Sequence, residues 1–341
     1  MKRAHILSVG SALPDRVVEN AAIEARLGAP PGWIAERTGV RQRRAAADGE
    51  LGYQLGAAAA RRALEAAGES AEALDAIVYS TMFCDYVAPG SGVLVQRELG
   101  CRRALPAYDL RNQCAGFLYG LSLGRALIVA GRAQRVLLVC AERQHENFLA
   151  YPGAAPVFGD AGAAVLMGPS DDEESGILEL ELGADGNGAA IAIAGCDNVD
   201  VFAPEHRLPE LSRALEEAER QPPSGPKLYY WNGAEIFRAA VATMVRSSRA
   251  VLERIGSTPA AVDWFLFHQA NLHINQAVMR RLGLAPERCP SNLERFGNTT
   301  SASIPLLLGE LIESGRLRRG QLLLFSTFGA GYAWGTAALR W

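Results

Sequence analysis

Cys114 lies where a thiol could act as a nucleophile. Residues 109–131 read as an extended entry, a bend at Cys114, and a long apolar helix that begins behind the small residues Ala115 and Gly116. A helix N-terminus offers free backbone N–H groups and the positive end of the helix dipole, both of which favour a thiolate. We therefore expect this thiol to ionise readily and to accept an acyl group as a thioester. A buried structural cysteine is the alternative interpretation, because free cysteines are commonly buried.

His268 and Asn298 carry side chains that suit the same chemistry. A neutral imidazole and a side-chain amide both donate hydrogen bonds, and such donors stabilise a carbonyl oxygen that becomes an enolate or an oxyanion. Taken alone, His268 would be interpreted as a core histidine, because it ends the apolar run 264–267, and Asn298 as a helix cap. Because no third acidic group accompanies them, the set favours stabilising a carbanion over hydrolysis.

An internal repeat predicts that these three residues converge. The segments around Cys114 and Asn298 both run from a bend through a long helix to a Gly-Arg pair and an apolar strand. Aligning the two Gly-Arg pairs gives an offset of 184 residues, which places Cys114 on Asn298. Farther upstream, an offset of 188 residues aligns Ser80 with His268. Two facing copies of one βαβ unit would bring all three groups to a pseudo-symmetric centre.

The composition narrows the class of protein. With 341 residues, 49% hydrophobic and 21% charged, the chain is typical of a globular protein that buries a substantial core. A net charge of -3 gives no basic stripe, so we expect no nucleic-acid partner. No apolar run approaches the ~18 residues of a membrane span, and we interpret residues 1–10 as the start of a strand, not as a signal peptide.

Cysteine and histidine usage indicates a metal-free protein of the cytoplasm. The six cysteines form no C-x-x-C pair, and none of the five histidines stands at metal-ligand spacing. Scattered single cysteines in a chain of this size favour a reducing compartment. We therefore expect a cytoplasmic protein with no metal site. A dinucleotide site is not expected either, because no G-x-G-x-x-G opens a helix.

Apolar runs alternate with amphipathic helices, which predicts an α/β fold with strands covered on both faces. The predicted strands are 4–9, 73–82, 135–141, 161–167 and 177–182, and the clearest predicted helices are 20–27 and 51–68. We divide the chain into two halves, 1–173 with the cysteine and 174–341 with the histidine and asparagine. The proline-rich segment 203–227 is predicted to be a surface insertion, or alternatively a lid over an entrance.

Several motifs together resemble the β-ketoacyl-ACP synthase III family of thiolase-fold condensing enzymes. The motifs are QCAGF at Cys114, HQANLHIN at His268, FGNTTSASIP at Asn298, FGAGYAWG near the C-terminus, an entrance motif at 33–41, and a glycine motif at 158–163. The resemblance covers nearly the whole chain. It implies a five-layered αβαβα thiolase fold built from two duplicated halves, a homodimer, and no metal or bound cofactor. The substrates would be carried on acyl carrier protein or coenzyme A.

The resemblance also implies a role for each matching residue. Cys114 would take the acyl primer, and His268 and Asn298 would stabilise the enolate formed when a malonyl thioester loses CO₂. The backbone N–H groups of Cys114 and Ala330 would form the oxyanion hole. The residues that would contact the substrate are Trp33, Arg37, Thr38, Ala88, Phe158, Asn271 and Phe328. The basic residues that would dock the acidic carrier protein are Arg238, Arg280 and Arg281.

Departures from the family pattern indicate a specialised member. Ala88 stands where the family often has a bulky aromatic residue that closes the acyl pocket, which predicts a longer or bulkier primer than acetyl. The loop 151–156 lacks the arginine that commonly clamps the CoA nucleotide, and His273 replaces another commonly basic residue. Both changes favour a primer borne by carrier protein. Ala330 replaces a usual glycine in the oxyanion loop.

Three functions stay open at this point. The first is a primer-condensing synthase of fatty acid or polyketide initiation. The second is a secondary-metabolism relative that joins two long carrier-bound chains or only transfers an acyl group, which Ala88 and the 203–227 segment favour. The third is a catalytically silent partner or scaffold, which the presence of all three candidate residues disfavours. A plain thiolase is less favoured still, because no second cysteine stands in a glycine-rich C-terminal loop.

Overall fold

The computed structural model of the chain describes residues 3–149, 151, 153–170, 172, 174–194 and 229–341. The predicted insertion at 203–227 lies outside these residues. The strands are β1 (Ala4–Ala12), β2 (Arg16–Glu19), β3 (Gln42–Ala45), β4 (Ala76–Ser80), β5 (Ala107–Leu110), β6 (Val136–Glu142), β7 (Ala161–Pro169), β8 (Gly176–Ala184), β9 (Ala192–Ala194), β10 (Tyr229–Trp231), β11 (Trp264–Phe267), β12 (Leu322–Gly329) and β13 (Ala333–Arg340). The α-helices are α1 (Asn20–Leu27), α2 (Trp33–Thr38), α3 (Gly52–Ala67), α4 (Ser91–Glu98), α5 (Gly116–Val129), α6 (His145–Phe148), α7 (Gly233–Arg254), α8 (Leu272–Leu282), α9 (Leu293–Phe296) and α10 (Ser303–Glu313).

Two sheets that share a four-strand topology form the framework. The first has the order β1-β7-β6-β4-β5 and the second has the order β11-β12-β13-β8. In the first sheet β4 runs parallel to β6, and β7 is antiparallel to both β6 and β1. In the second, β11 runs parallel to β12, and β13 is antiparallel to both β12 and β8. The strands β11, β12, β13 and β8 therefore correspond to β4, β6, β7 and β1.

Alternation along the strands gives the layers. In β4, Ala76 and Val78 contribute to the large central core, whereas Ile77 and Tyr79 pack with α3 on the other face of the sheet. In β11, Leu266 faces the same central core, and its neighbours Phe265 and Phe267 pack with α7 and α8. Side chains of a strand point alternately to its two faces, so each sheet is covered on both sides.

The helices α5 and α10 lie between the two sheets. Their apolar side chains belong to the central core that also takes in strands of both sheets. The order of layers is thus α3, the first sheet, α5 with α10, the second sheet, and α7 with α8. This is the predicted five-layered αβαβα fold, and the two predicted helices at 20–27 and 51–68 correspond to α1 and α3.

The repeat is real, but the predicted residue correspondence at its bends is wrong by three residues. Gln113 and Thr300 both have positive φ angles, 42° and 49°, and each begins a 3₁₀ turn that leads directly into α5 or α10. The two bends therefore match at an offset of 187 residues, which places Cys114 on Ser301 and not on Asn298. The cause is helix length, because α5 has 14 residues and α10 has 11. A difference of three residues is close to one turn, so the same helix face stays inward.

The predicted boundary between residues 173 and 174 falls after β7, which ends at Pro169, and before β8, which begins at Gly176. That division stays a prediction. Among the described residues no helix is both long and apolar enough to cross a bilayer.

Candidate active site

One cavity brings together the three residues that the sequence singled out. Cys114, His268 and Asn298 all line it, and its volume is about 130 Å³. They arrive from three segments: the turn before α5, the end of β11, and the loop between α9 and α10. The other residues that line the cavity are Val157, Trp231, Gly233, Ile236, Phe237, Ala240, Met244, Ala270, Asn271, Ile274, Phe328, Gly329, Ala330 and Tyr332. Most of this wall is apolar, which suits an acyl chain or a pantetheine arm.

Cys114 is partly buried at the bend, and its carbonyl oxygen accepts a hydrogen bond of 2.9 Å from Thr327 Oγ1 on β12. Burial, together with the nearby carboxylate of Glu142, raises the pKa of the Cys114 thiol to about 12. Both causes oppose ionisation, so the direction of this pKa shift runs against the ready ionisation that the helix N-terminus led us to expect.

Glu142, which the sequence analysis did not single out, is a fully buried carboxyl group beside the site. It accepts hydrogen bonds from Ser301 Oγ at 2.7 Å, from Thr81 Oγ1 at 3.1 Å and from Met82 N at 2.9 Å. Burial raises the pKa of Glu142 to about 7, although these donors favour its ionised form. The group thus ties β6 and the loop after β4 to the bend before α10, and its charge acts on Cys114.

His268 directly follows β11 and is buried. Its Nδ1 lies 2.7 Å from Ser303 Oγ, and its carbonyl oxygen accepts from Asn275 Nδ2 at 3.1 Å. Burial lowers the pKa of His268 to about 3, so the imidazole is neutral at physiological pH. The Ser303 hydroxyl has one proton and two acceptors in reach, His268 Nδ1 and the Thr300 carbonyl oxygen at 3.0 Å. The acceptor to which Ser303 Oγ–H donates determines the tautomer of His268, and therefore whether its Nε2 is a donor or an acceptor.

Asn298 is held by its own loop. Its Oδ1 accepts from the backbone N–H of Thr300 at 2.8 Å. Its backbone pairs with the segment before β7, because Asn298 N donates to Val157 O at 2.8 Å and Gly159 N donates to Asn298 O at 3.1 Å. With Oδ1 engaged, the Nδ2 hydrogens are the donors that this side chain can offer to a ligand.

The end of β12 approaches the thiol closely. A Cβ built on Gly329 would lie 3.0 Å from Cys114 Cβ and 3.3 Å from Cys114 N, so only a glycine fits there without displacement. The next residue, Ala330, lines the cavity. The predicted pairing of the N–H groups of Cys114 and Ala330 stays a proposal.

Some of the predicted substrate-binding residues line the cavity, and others lie outside it. Asn271 and Phe328 line the cavity. Phe158 is buried and meets the ring of Trp231, which lines the cavity, at a centroid distance of 6.4 Å. Ala88, by contrast, is exposed on the loop before α4 and does not line this cavity.

The entrance motif forms α2, which lies beside the cavity wall but does not line it. Asn271 Nδ2 donates to Arg37 O at 3.1 Å, and His273 Nε2 lies 2.8 Å from Glu36 O, so α8 is attached to the C-terminal end of α2. The guanidinium of Arg37 lies 5.0 Å from the ring centroid of Trp33. Thr38 is buried, and its hydroxyl bonds to Ile34 O and Val40 N, which is a local role within α2.

The three candidate docking arginines, Arg238, Arg280 and Arg281, are exposed on α7 and α8, the helices of the outer layer next to the cavity. The cavity wall also contains residues that the sequence analysis missed, namely Ile236, Phe237, Ala240 and Met244 on α7. Their signal was the apolar stripe of that helix, which by itself indicates only core packing. Within the described residues no group of three or more histidine, cysteine, aspartate and glutamate side chains could hold a metal ion.

Comparison with known proteins assigns the chain to a family. The C-terminal model of 3-oxoacyl-[acyl-carrier-protein] synthase III matches residues 252–341, and the companion model of this synthase matches residues 108–186. A β-ketoacyl-[acyl-carrier-protein] synthase III of Roseiflexus sp. is 38% identical over 97% of this chain and 96% of its own. The crystal structure of such a synthase from Thermus thermophilus has a TM-score of 0.87 and 37% identity, with 99% of each chain covered. The priming β-ketosynthase of the R1128 polyketide pathway has a TM-score of 0.86 and 33% identity, with 99% of this chain and 96% of that chain covered.

The fold and the site thus define a thiolase-fold condensing enzyme. More narrowly, the chain belongs to the β-ketoacyl-ACP synthase III family, whose members are acyltransferases that form carbon–carbon bonds.

Proposed function

We propose that this enzyme transfers an acyl primer to Cys114 and condenses it with a malonyl-type thioester on acyl carrier protein to give a 3-oxoacyl product. The observation that carries the proposal is the single cavity shared by a thiol, a neutral buried imidazole and an oriented amide. In the first half-reaction the sulfur of Cys114 attacks the primer thioester. A C–S bond forms at Cys114, the donor's C–S bond breaks, and the thiol proton leaves with the donor's sulfur.

In the second half-reaction the malonyl thioester loses CO₂. The electrons of the broken C–C bond form an enolate, whose oxygen accepts hydrogen bonds from His268 Nε2 and Asn298 Nδ2. The enolate carbon attacks the Cys114 thioester, the N–H groups of Cys114 and Ala330 stabilise the tetrahedral oxyanion, and the released thiolate takes up a proton. The raised pKa of Cys114 favours the last step, because the enzyme returns to a neutral thiol.

Donation from His268 Nε2 requires that its proton be on that atom. The lowered pKa of His268 keeps the ring neutral, so it carries one proton. When Ser303 Oγ–H donates to Nδ1, over the 2.7 Å contact, that proton is on Nε2. Ser303 thereby selects the tautomer that decarboxylation needs, and its other acceptor, the Thr300 carbonyl oxygen, is released.

We propose that acyl carrier protein delivers the malonyl group and also the primer. The exposed Arg238, Arg280 and Arg281 would meet its acidic surface. His273 stands at a commonly basic position, and its Nε2 lies 2.8 Å from the carbonyl oxygen of Glu36. We propose that it fixes α2 instead of binding the phosphates of CoA. This favours a carrier-borne primer over a CoA-borne one.

A second copy of this chain is the proposed partner at the edge of the first sheet. The strand β5 is one of the two edge strands of the described sheet and exposes Tyr108, and the segment from the loop before α4 into α4 exposes Tyr86, Val87 and Val93. An unpaired strand edge with apolar neighbours favours pairing with a like edge. In such a homodimer the loop with Ala88 would lie at the interface, where its small side chain would admit a longer primer.

The second candidate function is condensation or transfer of long carrier-bound chains. Ala88 favours it, and it differs from the first in the fate of the acylated enzyme.

The experiment that tests the main proposal measures the two half-reactions separately in His268→Ala and Asn298→Ala variants. We expect both variants to acylate Cys114 and to lose decarboxylation of malonyl carrier protein by about 10²–10³-fold, the effect of removing one oriented donor. Undiminished condensation in both variants would refute the enolate site.

A further inference from the structure

We propose that Gln144 is a positioning residue that holds Asn298 and Thr300 in the geometry that enolate stabilisation needs. This inference rests on the proposed function of Asn298. Gln144 is fully buried just before α6, far from Asn298 in sequence, and it does not line the cavity. Nothing in its sequence context marks it.

The Gln144 side chain makes three hydrogen bonds to the segments around Asn298. Its Nε2 donates to Asn298 O at 3.0 Å and to Gly159 O at 3.1 Å, and its Oε1 accepts from Thr300 Oγ1 at 2.8 Å. The orientation of the amide is fixed by these partners. A flipped amide would place its oxygen against two carbonyl oxygens, which cannot donate.

The position of Gln144 is itself fixed from the other side. Its backbone N–H donates to Asp160 Oδ1 at 2.7 Å, and the other carboxylate oxygen of Asp160 accepts from Ala46 N at 2.8 Å. Asp160 directly precedes β7. The backbone of Gln144 is therefore bonded to the first sheet, while its side-chain amide is bonded to the loop that contains Asn298. The side chain thereby links the first half of the chain to a site residue of the second half.

The loop needs such support because Thr300 is a β-branched residue with a φ of 49°. That conformation is unfavourable for a β-branched residue and persists only when surrounding bonds determine it. The N–H of Thr300 orients Asn298 Oδ1, so a shift of Thr300 would turn the amide of Asn298. Gln144 Oε1 holds the side chain of the same threonine. Loss of the Gln144 side chain should therefore misplace the Nδ2 donor of Asn298 while the loop itself stays folded.

The test uses Gln144→Met, which keeps length and volume and removes all three hydrogen bonds. We expect kcat for condensation with malonyl carrier protein to fall at least tenfold, with KM for that substrate within twofold of wild type. The rate of Cys114 acylation, which does not use Asn298, should be unchanged. The matched control is Gln321→Leu, which removes an amide that accepts from Trp264 Nε1 and Arg318 N away from the cavity. It should leave both half-reactions intact.

A double-mutant cycle with Asn298→Ala separates positioning from a general loss of structure. If Gln144 acts through Asn298, adding Gln144→Met to Asn298→Ala should cost no further activity. Independent, multiplying losses would overturn the proposal, and so would unchanged kcat in Gln144→Met. Full condensation in Asn298→Ala alone would instead overturn the proposed function. Should Gln144→Met fail to fold, Thr300→Val removes the bond to Oε1 from the other partner, and there too kcat must fall while acylation stays.

Discussion

Replacing Gly329 with alanine should disable the enzyme without unfolding it. The added Cβ would lie 3.0 Å from Cys114 Cβ and 3.3 Å from Cys114 N. Carbon atoms in ordinary contact are about 3.5–4.0 Å apart, so the two segments must separate by a few tenths of an ångström.

The surroundings of Gly329 resist that separation. Gly329 pairs with Ala333 on β13, and the preceding Thr327 donates to the carbonyl oxygen of Cys114 at 2.9 Å. The displacement therefore falls on the nucleophile and on the N–H of Ala330, two parts of the proposed oxyanion site. Loss of one oxyanion donor costs roughly 10²-fold or more in rate.

The assay is a single-turnover measurement of Cys114 acylation and of the subsequent condensation, with thermal unfolding measured in parallel. We expect both rates to fall about 10²-fold in Gly329→Ala. The matched control is Gly186→Ala, because its added Cβ would meet no atom within 4 Å and its φ is not left-handed. Rates within threefold of wild type in Gly329→Ala would refute the geometry proposed for the oxyanion site.

Two further predictions concern stability and docking. Burial and the Arg319 guanidinium lower the pKa of His5 from its ordinary value of 6.5 to about 4. Between pH 6.5 and pH 4, His5 is therefore protonated in the unfolded chain and neutral in the folded chain. The wild type should therefore lose about 2 kcal/mol more than His5→Gln between pH 7 and pH 5 in urea unfolding, and equal losses would contradict this assignment. Reversing the charge of both Arg280 and Arg281 to glutamate should raise KM for carrier-bound malonyl about tenfold and leave turnover of a pantetheine thioester unchanged, whereas Arg132→Glu, on the exposed turn after α5, should alter neither. An unchanged KM in the double variant would place the docking surface elsewhere.

The apolar runs predicted an α/β fold with covered strands, and the five layers followed from the resemblance of local motifs to a known family. The apolar runs and helical stripes specify the sheets and their covers, and the motifs around Cys114, His268 and Asn298 are contiguous. The apparent offset of 184 failed because it matched the ends of two helices whose lengths differ by three residues, whereas the bends themselves correspond at 187. A single alignment cannot show where within a helix residues are lost.

The electrostatics of the site could not be predicted from local patterns. Burial and the carboxylate of Glu142, which lies on β6, raise the pKa of the Cys114 thiol, whereas the local sequence pattern suggested a lowered pKa. Gln144 was missed for the same reason. Its partners, Asn298 and Thr300, are distant in sequence, and only the packing of the two halves brings them together.

The most direct test of the proposed mechanism is the intact mass of the enzyme after exposure to acyl donors, from acetyl to long-chain, each on CoA and on carrier protein, and then to malonyl carrier protein. We predict one acyl adduct, formed best from a longer carrier-borne primer, absent in Cys114→Ala, and discharged by malonyl carrier protein into a 3-oxoacyl product. An adduct retained in Cys114→Ala would contradict the assignment of the nucleophile. An adduct that malonyl carrier protein does not discharge would contradict decarboxylative condensation and support the chain-joining or acyl-transfer function.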